Sequence, residues 1–525
     1  MRASWFLWHR RLGAALGLFL FVICSSGSLA VLGEEWDNLF GDAPANASGD
    51  VDWAGIEAAL REAYPYGEIR IVSTSPDRVV RATVETLRGQ WVEVRLARNP
   101  ARILSVRSLV TVKVFLRQFH KGLLVPKGLY LVTLMSLLLL FSTISGLVIY
   151  RRWWTHLFRL RLKAERRLAW ADIHRTVGVW SVPFALVIAI TGTWYLVEAS
   201  ARDFAGATVE AEPPELARPF TERRAGMDAW VRVAESELPG FAVRTILFGE
   251  DAASPVRLDG ERDAILVRPR ANRVYLDPAT GEVVDVWSEE DQTIAQRWSD
   301  MADPLHFGDF AGLAVKLLWF LAGLFLSLVV LAGPLLGYLR ARRRLEMKRK
   351  LPSLSRGRRF LANFANGLVA LVLLASIALA TMSMSIPTIA GWGTPDRVTH
   401  LSDDGEAMLA RHDEGDGRCT YRVVGPGIAE HERTVWIDGE SHTLSHGELF
   451  GPCGDTVQLG EQTLALTPLA DLDDEPRRAL ERPPTPASTY VTLFVIVFFA
   501  LQLFAVVLWL WYVARPNRRV AEKKG

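Results

Sequence analysis

A chain of 525 residues that is half hydrophobic, yet carries 60 Lys and Arg against 58 Asp and Glu, is too apolar on average for an ordinary soluble enzyme. The net charge of +2 points to no partner by itself, and nucleic acid is not expected as one. Both facts fit a protein whose apolar residues come in runs with the charges sorted between them.

The runs appear in chain order. The first, Leu12–Leu32, follows a basic start at Arg2, Arg10 and Arg11. That layout is also the layout of a signal peptide, but the apolar stretch is long for one and its opening motif returns later, so a retained helix is expected. A polar loop, Gly33–Arg117, follows, with a helix-like Ile56–Tyr64 and strand-like segments at 69–73, 79–86 and 91–97. His120-Lys121-Gly122 precedes the second run, Leu129–Tyr150, which ends in a basic link from Arg151 to Arg167. The third run, Val177–Val197, begins just after His174-Arg175. The second outer loop, Glu198–Asp309, holds a strand, a tight Asp277-Pro278 turn closed by Gly281, and another strand. His306-Phe307-Gly308 precedes the fourth run, Leu313–Leu339, and a second basic link runs from Arg340 to Arg359. A fifth run, Phe360–Met382, a third polar loop, Ser383–Thr489, a sixth run, Val491–Val513, and a basic tail complete the chain.

Each run is long enough to cross a bilayer. With about six spans, every basic cluster falls on one side, which should be the cytoplasm. The expected organisation is an all-α polytopic membrane core of about six helices, two repeated helical hairpins plus an extra pair, with α+β domains outside. Spans are placed at 1–32, 118–150, 177–197, 310–340, 360–382 and 490–513. Periplasmic domains are placed at 33–117, 198–309 and 383–489. Cytoplasmic links at 151–176 and 341–359 and a tail at 514–525 put both termini inside.

The repeat carries the chemistry. His9 lies 18 residues before Gly27, and His174 lies 18 residues before Gly192. At 1.5 Å per residue that is about 27 Å, nearly the hydrocarbon thickness. His9 and His174 therefore share the cytoplasmic level, while His120 and His306 share the outer one. Two imidazoles at one height, on different helices, are what a membrane-embedded b-type haem needs as axial ligands. Two pairs at two levels suggest two b-type haems and a route for electrons. Gly13 and Gly178, one turn beyond His9 and His174, would let a macrocycle lie close, and Arg10 and Arg175 could pair with propionates. Taken alone, any one of these histidines is more simply an interfacial residue; the pairing by height changes that balance.

No GxGxxG follows a strand, and no phosphate-binding loop or CxxC is present. An electron donor would be a separate cytoplasmic protein or a quinol. His400, His412, His431, His442 and His446 lie in the last outer loop, where a solvated loop is expected over a metal site. Cys419 and Cys453 lie in the same loop. A disulfide between them is expected over two free thiols if the loop is periplasmic.

The motifs WHRRLG at 8–13, FLRQFHKGL at 115–123, DIHRTVGVW at 172–180, VYLDPATGEVV at 274–284 and DPLHFGDFAGLAVKLLWFLAGL at 303–324 resemble the PepSY-associated transmembrane family. That family includes inner-membrane ferric-siderophore reductases and iron-regulated membrane proteins. The resemblance covers Trp8 to about Arg344. It implies PepSY-like outer domains and two haems held by His9, His174, His120 and His306. It further implies electron transfer from the cytoplasmic side to a ferric siderophore or other ferric chelate in the periplasm. The rival expectation is a non-catalytic membrane anchor whose outer modules bind or restrain a periplasmic partner.

Overall fold

The computed structural model describes residues 2–40 and 50–347, apart from loop positions 65–67, 75–78, 86–90, 159, 163–164, 210–212, 217–224, 250–252 and 265. It further describes 400–402, 408–413, 418–425, 431–437, 440–459, 462–468, 491 and 493–501. The expected fifth span, 360–382, lies outside these residues, and only the first part of the sixth lies within them.

Among the described residues, four helices are long and apolar enough to cross a membrane: Ala3–Val31, Gly128–Ile149, Val182–Ala205 and Gly312–Gly337. They belong to α1 (Arg2–Val31), α5 (Gly128–Ile149), α7 (Val182–Ala205) and α10 (Gly312–Met347). Their surfaces are apolar nearly all round, as lipid on one side and helix on the other require. The contact faces are built from small residues. A Cβ on Gly17 would stand 2.5 Å from Cγ of Pro334, and one on Gly323 would stand 2.3 Å from Oγ of Ser28, so α1 and α10 touch nearly backbone to backbone.

The outer histidines do not sit on the spans themselves. His120 lies on the last turn of α4 (Val112–Gly122), a separate amphipathic helix, and His306 lies on α9 (Ile294–Phe307). The cause is local. Leu123 and Lys127 adopt left-handed backbone angles between α4 and α5, and Gly308 does so at φ +69° between α9 and α10. The third span is also displaced from its expected run at 177–197, the apolar helix being Val182–Ala205. Helix α6 (Arg166–Trp180) carries His174 and gives way to α7 at Ser181, next to Pro183, whose nitrogen cannot donate to the preceding turn.

The two outer loops have the same element order and fuse. The first supplies a short helix α2 (Gly33–Phe40), α3 (Trp53–Ala63), β1 (Glu68–Ser73), β2 (Val80–Glu85), β3 (Trp91–Arg98) and β4 (Ala101–Ser108). The second supplies α8 (Met227–Glu237), β5 (Ala242–Leu247), β6 (Val256–Glu261), β7 (Asn272–Leu276) and β8 (Val283–Trp287). Antiparallel pairing of β1 with β5, Val72 opposite Ile246, joins them into one eight-stranded sheet in the order β4-β3-β2-β1-β5-β6-β7-β8. Alternation decides its faces. Val80, Ala82 and Val84 on β2 and Val92, Val94 and Leu96 on β3 are buried under Trp53, Ile56 and Leu60 of α3 and Met227, Trp230 and Val231 of α8. The other face is charged and paired: Arg70 with Glu68 and Glu85, Arg107 with Glu93, and Arg257 with Asp259. Arg81 reaches Glu34 of α2 at 2.6 Å, and Lys316 of α10 reaches Glu35 at 3.2 Å, so this face is tied to the helical core.

A second antiparallel sheet has the order β12-β13-β11-β10-β9-β15-β14. Its strands are β9 (His400–Ser402), β10 (Met408–Asp413), β11 (Arg418–Gly425), β12 (His431–Ile437), β13 (Glu440–Pro452), β14 (Thr456–Leu459) and β15 (Gln462–Pro468). Cys419 of β11 is disulfide-bonded to Cys453, just past β13.

The close α1–α10 contact yields a prediction. Gly17→Leu should lower unfolding free energy by about 1–3 kcal/mol by overpacking. Gly13→Ala, with no atom within 4 Å of its added Cβ, should not lower it. Unfolding midpoints in a detergent titration compare the two.

Candidate functional site

Folding brings the four histidines together as two pairs. His9 of α1 and His174 of α6 have ring centres 6.1 Å apart. His120 of α4 and His306 of α9 have ring centres 6.2 Å apart.

Each ring is anchored through the same nitrogen. His9 Nδ1 lies 2.7 Å from Ser145 Oγ of α5. Ser145 gives its own proton to the Ser142 carbonyl, so its oxygen accepts and His9 donates. His174 Nδ1 donates to the Val329 carbonyl of α10 at 2.9 Å. His120 Nδ1 donates to the Ile23 carbonyl of α1 at 3.1 Å, with Ser26 Oγ at 3.3 Å. His306 Nδ1 lies 2.7 Å from Thr191 Oγ1 of α7, whose proton is given to the Val187 carbonyl. The network thus assigns all four rings the same tautomer, with N–H at Nδ1 and the lone pair at Nε2. That is the arrangement by which a metal-binding histidine is oriented through its other nitrogen.

The spacing suits a haem iron. Two imidazoles bonding one metal from opposite sides at about 2 Å each place their ring centres about 6 Å apart. No group of three or more His, Cys, Asp or Glu side chains able to hold a metal ion occurs among the described residues. Two imidazoles hold a bare ion weakly, but they are sufficient where a porphyrin supplies four equatorial nitrogens.

The outer pair opens onto a cavity of about 390 Å3 between the helices. Its apolar lining includes Leu20, Leu139 and Leu326. Also lining it are the cations Arg117, Lys121, Arg202, Arg268 and Arg270 and the acids Glu198 and Asp303. Both acids are engaged. Ser299 donates to Glu198, and Asp303 pairs with Arg268 at 2.5 Å while accepting from the Tyr195 hydroxyl. An apolar chamber with cations in its lining is complementary to an apolar disc bearing carboxylates on one edge. Gly27 makes room for His120, since a Cβ there would stand 2.6 Å from the ring. The Tyr195 ring packs edge-on to His306 at 5.3 Å.

The other residues expected from the sequence fall in different places. Gly13 faces open space, whereas a Cβ on Gly178 would stand 3.6 Å from the Val329 side chain of α10. Arg10 lies over the ring of Phe6 at 5.7 Å, and Arg340 lies over the same ring at 5.7 Å. Arg175 is already committed, bonding Asp172 and the Ala171 carbonyl and lying over Tyr150. Asp172 is buried and binds Arg161 as well. Arg161 first, and Arg175 with it, hold this carboxyl below the usual carboxylate range. Arg175 is therefore part of a charge cluster around the buried Asp172, on the helix that carries His174.

Sequence reasoning missed the anchors. Ser26-Gly27, Ser145-Gly146 and Thr191-Gly192 are hydroxyl–glycine pairs in three different spans, and each hydroxyl contacts one of the histidines. The fourth span has Ala332-Gly333 at that place, and a backbone carbonyl does the work instead. Cβ atoms on Gly146 and Gly333 would stand 3.8 Å from His9 and His174. The repeated dipeptide was the available signal. His400 and the histidines of β10, β12 and β13 lie on the second sheet, away from these pairs in sequence.

The chain is 27% identical over 213 residues to an uncharacterised protein of Pseudomonas aeruginosa, an alignment covering 37% of this chain and 54% of that one. The chain thus spans about half the length of that relative. The pattern defining the PepSY-associated TM region matches residues 6–342, which takes in all four paired histidines, and the chain belongs to that family.

Proposed function

We propose that this protein carries electrons outward across the bacterial inner membrane through two b-type haems and reduces a ferric chelate, such as a ferric siderophore, at the periplasmic face. The observation that carries the reading is the matched pair of histidine pairs, each about 6 Å between ring centres and each with both Nδ1 protons committed. In this reading six helices cross the membrane with both termini inside, and the sheet domain is periplasmic and PepSY-like.

Bound haem would supply one-electron storage at each level, which amino-acid side chains do not offer. The protein's contribution is position and environment. His9 and His174 would hold the inner group, and His120 and His306 the outer one. The hydroxyls of Ser145 and Thr191 and the carbonyls of Val329 and Ile23 keep the four lone pairs aimed and raise their basicity. Arg117, Lys121 and Arg202 offer partners for carboxylates in the outer cavity. Each electron delivered would convert one ferric ion to ferrous, which a hard oxygen-donor chelate holds less tightly. The electron donor is a quinol or a cytoplasmic protein, because the chain carries no flavin or nicotinamide motif.

A reduced-minus-oxidised spectrum of the purified protein, with haem quantified per chain, tests this reading. Two low-spin b haems are expected. His120→Ala or His306→Ala should remove the outer haem and abolish chelate reduction while keeping the inner one. A haem-free protein from haem-replete cells would overturn the reading in favour of a membrane anchor whose outer domain binds a partner.

Two further outcomes follow from the geometry. Thr191→Val keeps the side chain's shape but strands the His306 Nδ1 proton, and should weaken retention of the outer haem about 10- to 100-fold, measured as transfer to an apo-globin scavenger. Gly13→Leu fills open space beside His9 and should lower inner-haem occupancy without lowering the unfolding midpoint of the haem-free protein.

A further inference from the structure

The family pattern ends at residue 342, yet the helix at 491–501 is packed against the element that bears an outer histidine. Val491, Val495, Phe498 and Phe499 share one buried cluster with Val112, Phe115, Leu116 and Phe119 of α4. Four phenylalanines form its centre. Phe115 and Phe119 each meet Phe498 and Phe499 edge to face, with ring centres 5.2–5.9 Å apart. Phe494 lies 6.5 Å from Trp36 of α2, so the same helix also touches the segment leading into the sheet.

Helix α4 needs such support. It has only 11 residues, too short to be stable alone. Its N-terminus is held from two sides. Thr111 caps it, and the buried Asp37 accepts from the Val112 and Lys113 amides at 2.8 and 3.3 Å. Its other end is tied to α1 through His120 itself, whose Nδ1 donates to the Ile23 carbonyl at 3.1 Å. It closes on the left-handed Leu123, and His120 lies on that last turn, immediately after Phe119. Beyond that bond, the angle of α4 about its capped end depends on what packs on its apolar face, where Val22 of α1 shares the buried cluster. On that face stand Phe498 and Phe499. Helix α9, which carries the partner His306, has its own capping box at Thr293 and Gln296 and is tied to α7 through Asp303 and Tyr195. It has no counterpart to the phenylalanine cluster in its surroundings among the described residues.

We infer that the helix at 491–501 is a positioning element for the outer site: Phe498 and Phe499, acting through Phe115 and Phe119, hold α4 so that His120 faces His306. The role of the added C-terminal region is then to brace one half of one pair, leaving the inner pair untouched. In its consequence for haem this inference rests on the reading above, whereas the bracing of α4 does not.

The test uses the full chain with Phe498→Ala and Phe499→Ala together, against wild type and a Phe498→Leu, Phe499→Leu variant that keeps apolar bulk. Two readouts are taken. The first is occupancy and midpoint potential of each haem by redox titration. The second, independent of haem, is hydrogen exchange of the α4 amides relative to those of α9. The alanine variant is expected to lose outer-haem retention by about tenfold or more, with a shifted outer potential and an unchanged inner one. Exchange in α4 should speed by about tenfold or more, with α9 unaffected. The leucine variant should recover most of both. Unchanged outer haem and unchanged α4 exchange in the alanine variant would overturn the inference, as would equal loss at both haems with α4 and α9 loosened alike. A haem-free wild type would remove the electron-transfer reading alone, and the exchange comparison would still decide whether α4 is braced. Should the double alanine variant fail to accumulate, the single Phe498→Ala variant carries the same comparison: faster exchange confined to α4 supports the brace, and its absence overturns it.

Discussion

The structure turns on the proton at Nδ1 of four histidines. A ring placed between apolar helices cannot leave both nitrogens to water, and an unmet N–H in such surroundings costs about 1–3 kcal/mol. Each ring here gives that proton to an oxygen on a neighbouring helix: Ser145, Val329, Ile23 or Thr191. Every bond runs between helices, so it sets the relative height of two elements as well as the orientation of a ring. His9 fixes α1 against α5, His174 fixes α6 against α10, His120 fixes α4 against α1, and His306 fixes α9 against α7. With all four Nδ1 atoms used, the rings stand in two pairs with centres 6.1 and 6.2 Å apart.

The small residues serve the same end. Gly27, Gly146 and Gly333 stand across from His120, His9 and His174, and a side chain at Gly27 would collide with the ring. Gly17 and Gly323 bring α1, which carries His9, close to α10, the helix whose Val329 carbonyl anchors His174 of α6. A membrane interior gives no hydrophobic drive for helix association, so close backbone approach and interhelical hydrogen bonds must provide it. This chain uses glycine beside a hydroxyl for both purposes at once, with Ser26-Gly27, Ser145-Gly146 and Thr191-Gly192 as the repeated unit.

Much of this was legible in the sequence, and the reason is periodicity. The four runs around Leu12, Leu129, Val177 and Leu313 are long and apolar, so their helices follow from length alone, and the 18-residue spacing from His9 to Gly27 and from His174 to Gly192 places the levels. The strand-like segments at 79–86 and 91–97 likewise correspond to β2 (Val80–Glu85) and β3 (Trp91–Arg98). What was not legible depends on backbone angles and on contacts distant in sequence. Nothing periodic marks the left-handed residues Leu123 and Lys127 that detach α4 from α5, nor the fusion of two outer loops through β1 and β5. Arg175 read as a propionate partner because it follows His174, yet the buried Asp172, three residues earlier on the same helix face, claims it. Arg340, more than 160 residues from His174, lies over the Phe6 ring beside Arg10, a contact nothing local in the sequence announces.

The outer domain is part of the site rather than a cover over it. Arg268 and Arg270, in the segment between β6 and β7, line the same cavity as His306. Arg268 is bound to Asp303 on α9, one turn before that histidine, and Asp303 takes the hydroxyl proton of Tyr195 on α7. A displacement of the sheet would thus be felt at Asp303 and transmitted to the ring through three residues of helix. The sheet is itself one body, since both loops contribute strands to it, so the two hairpins cannot shift their outer ends independently. Fusing the loops therefore does for the outer level what Gly17 and Pro334 do for the inner one. It fixes the distance between the halves of a pair that lie on different copies of the repeat.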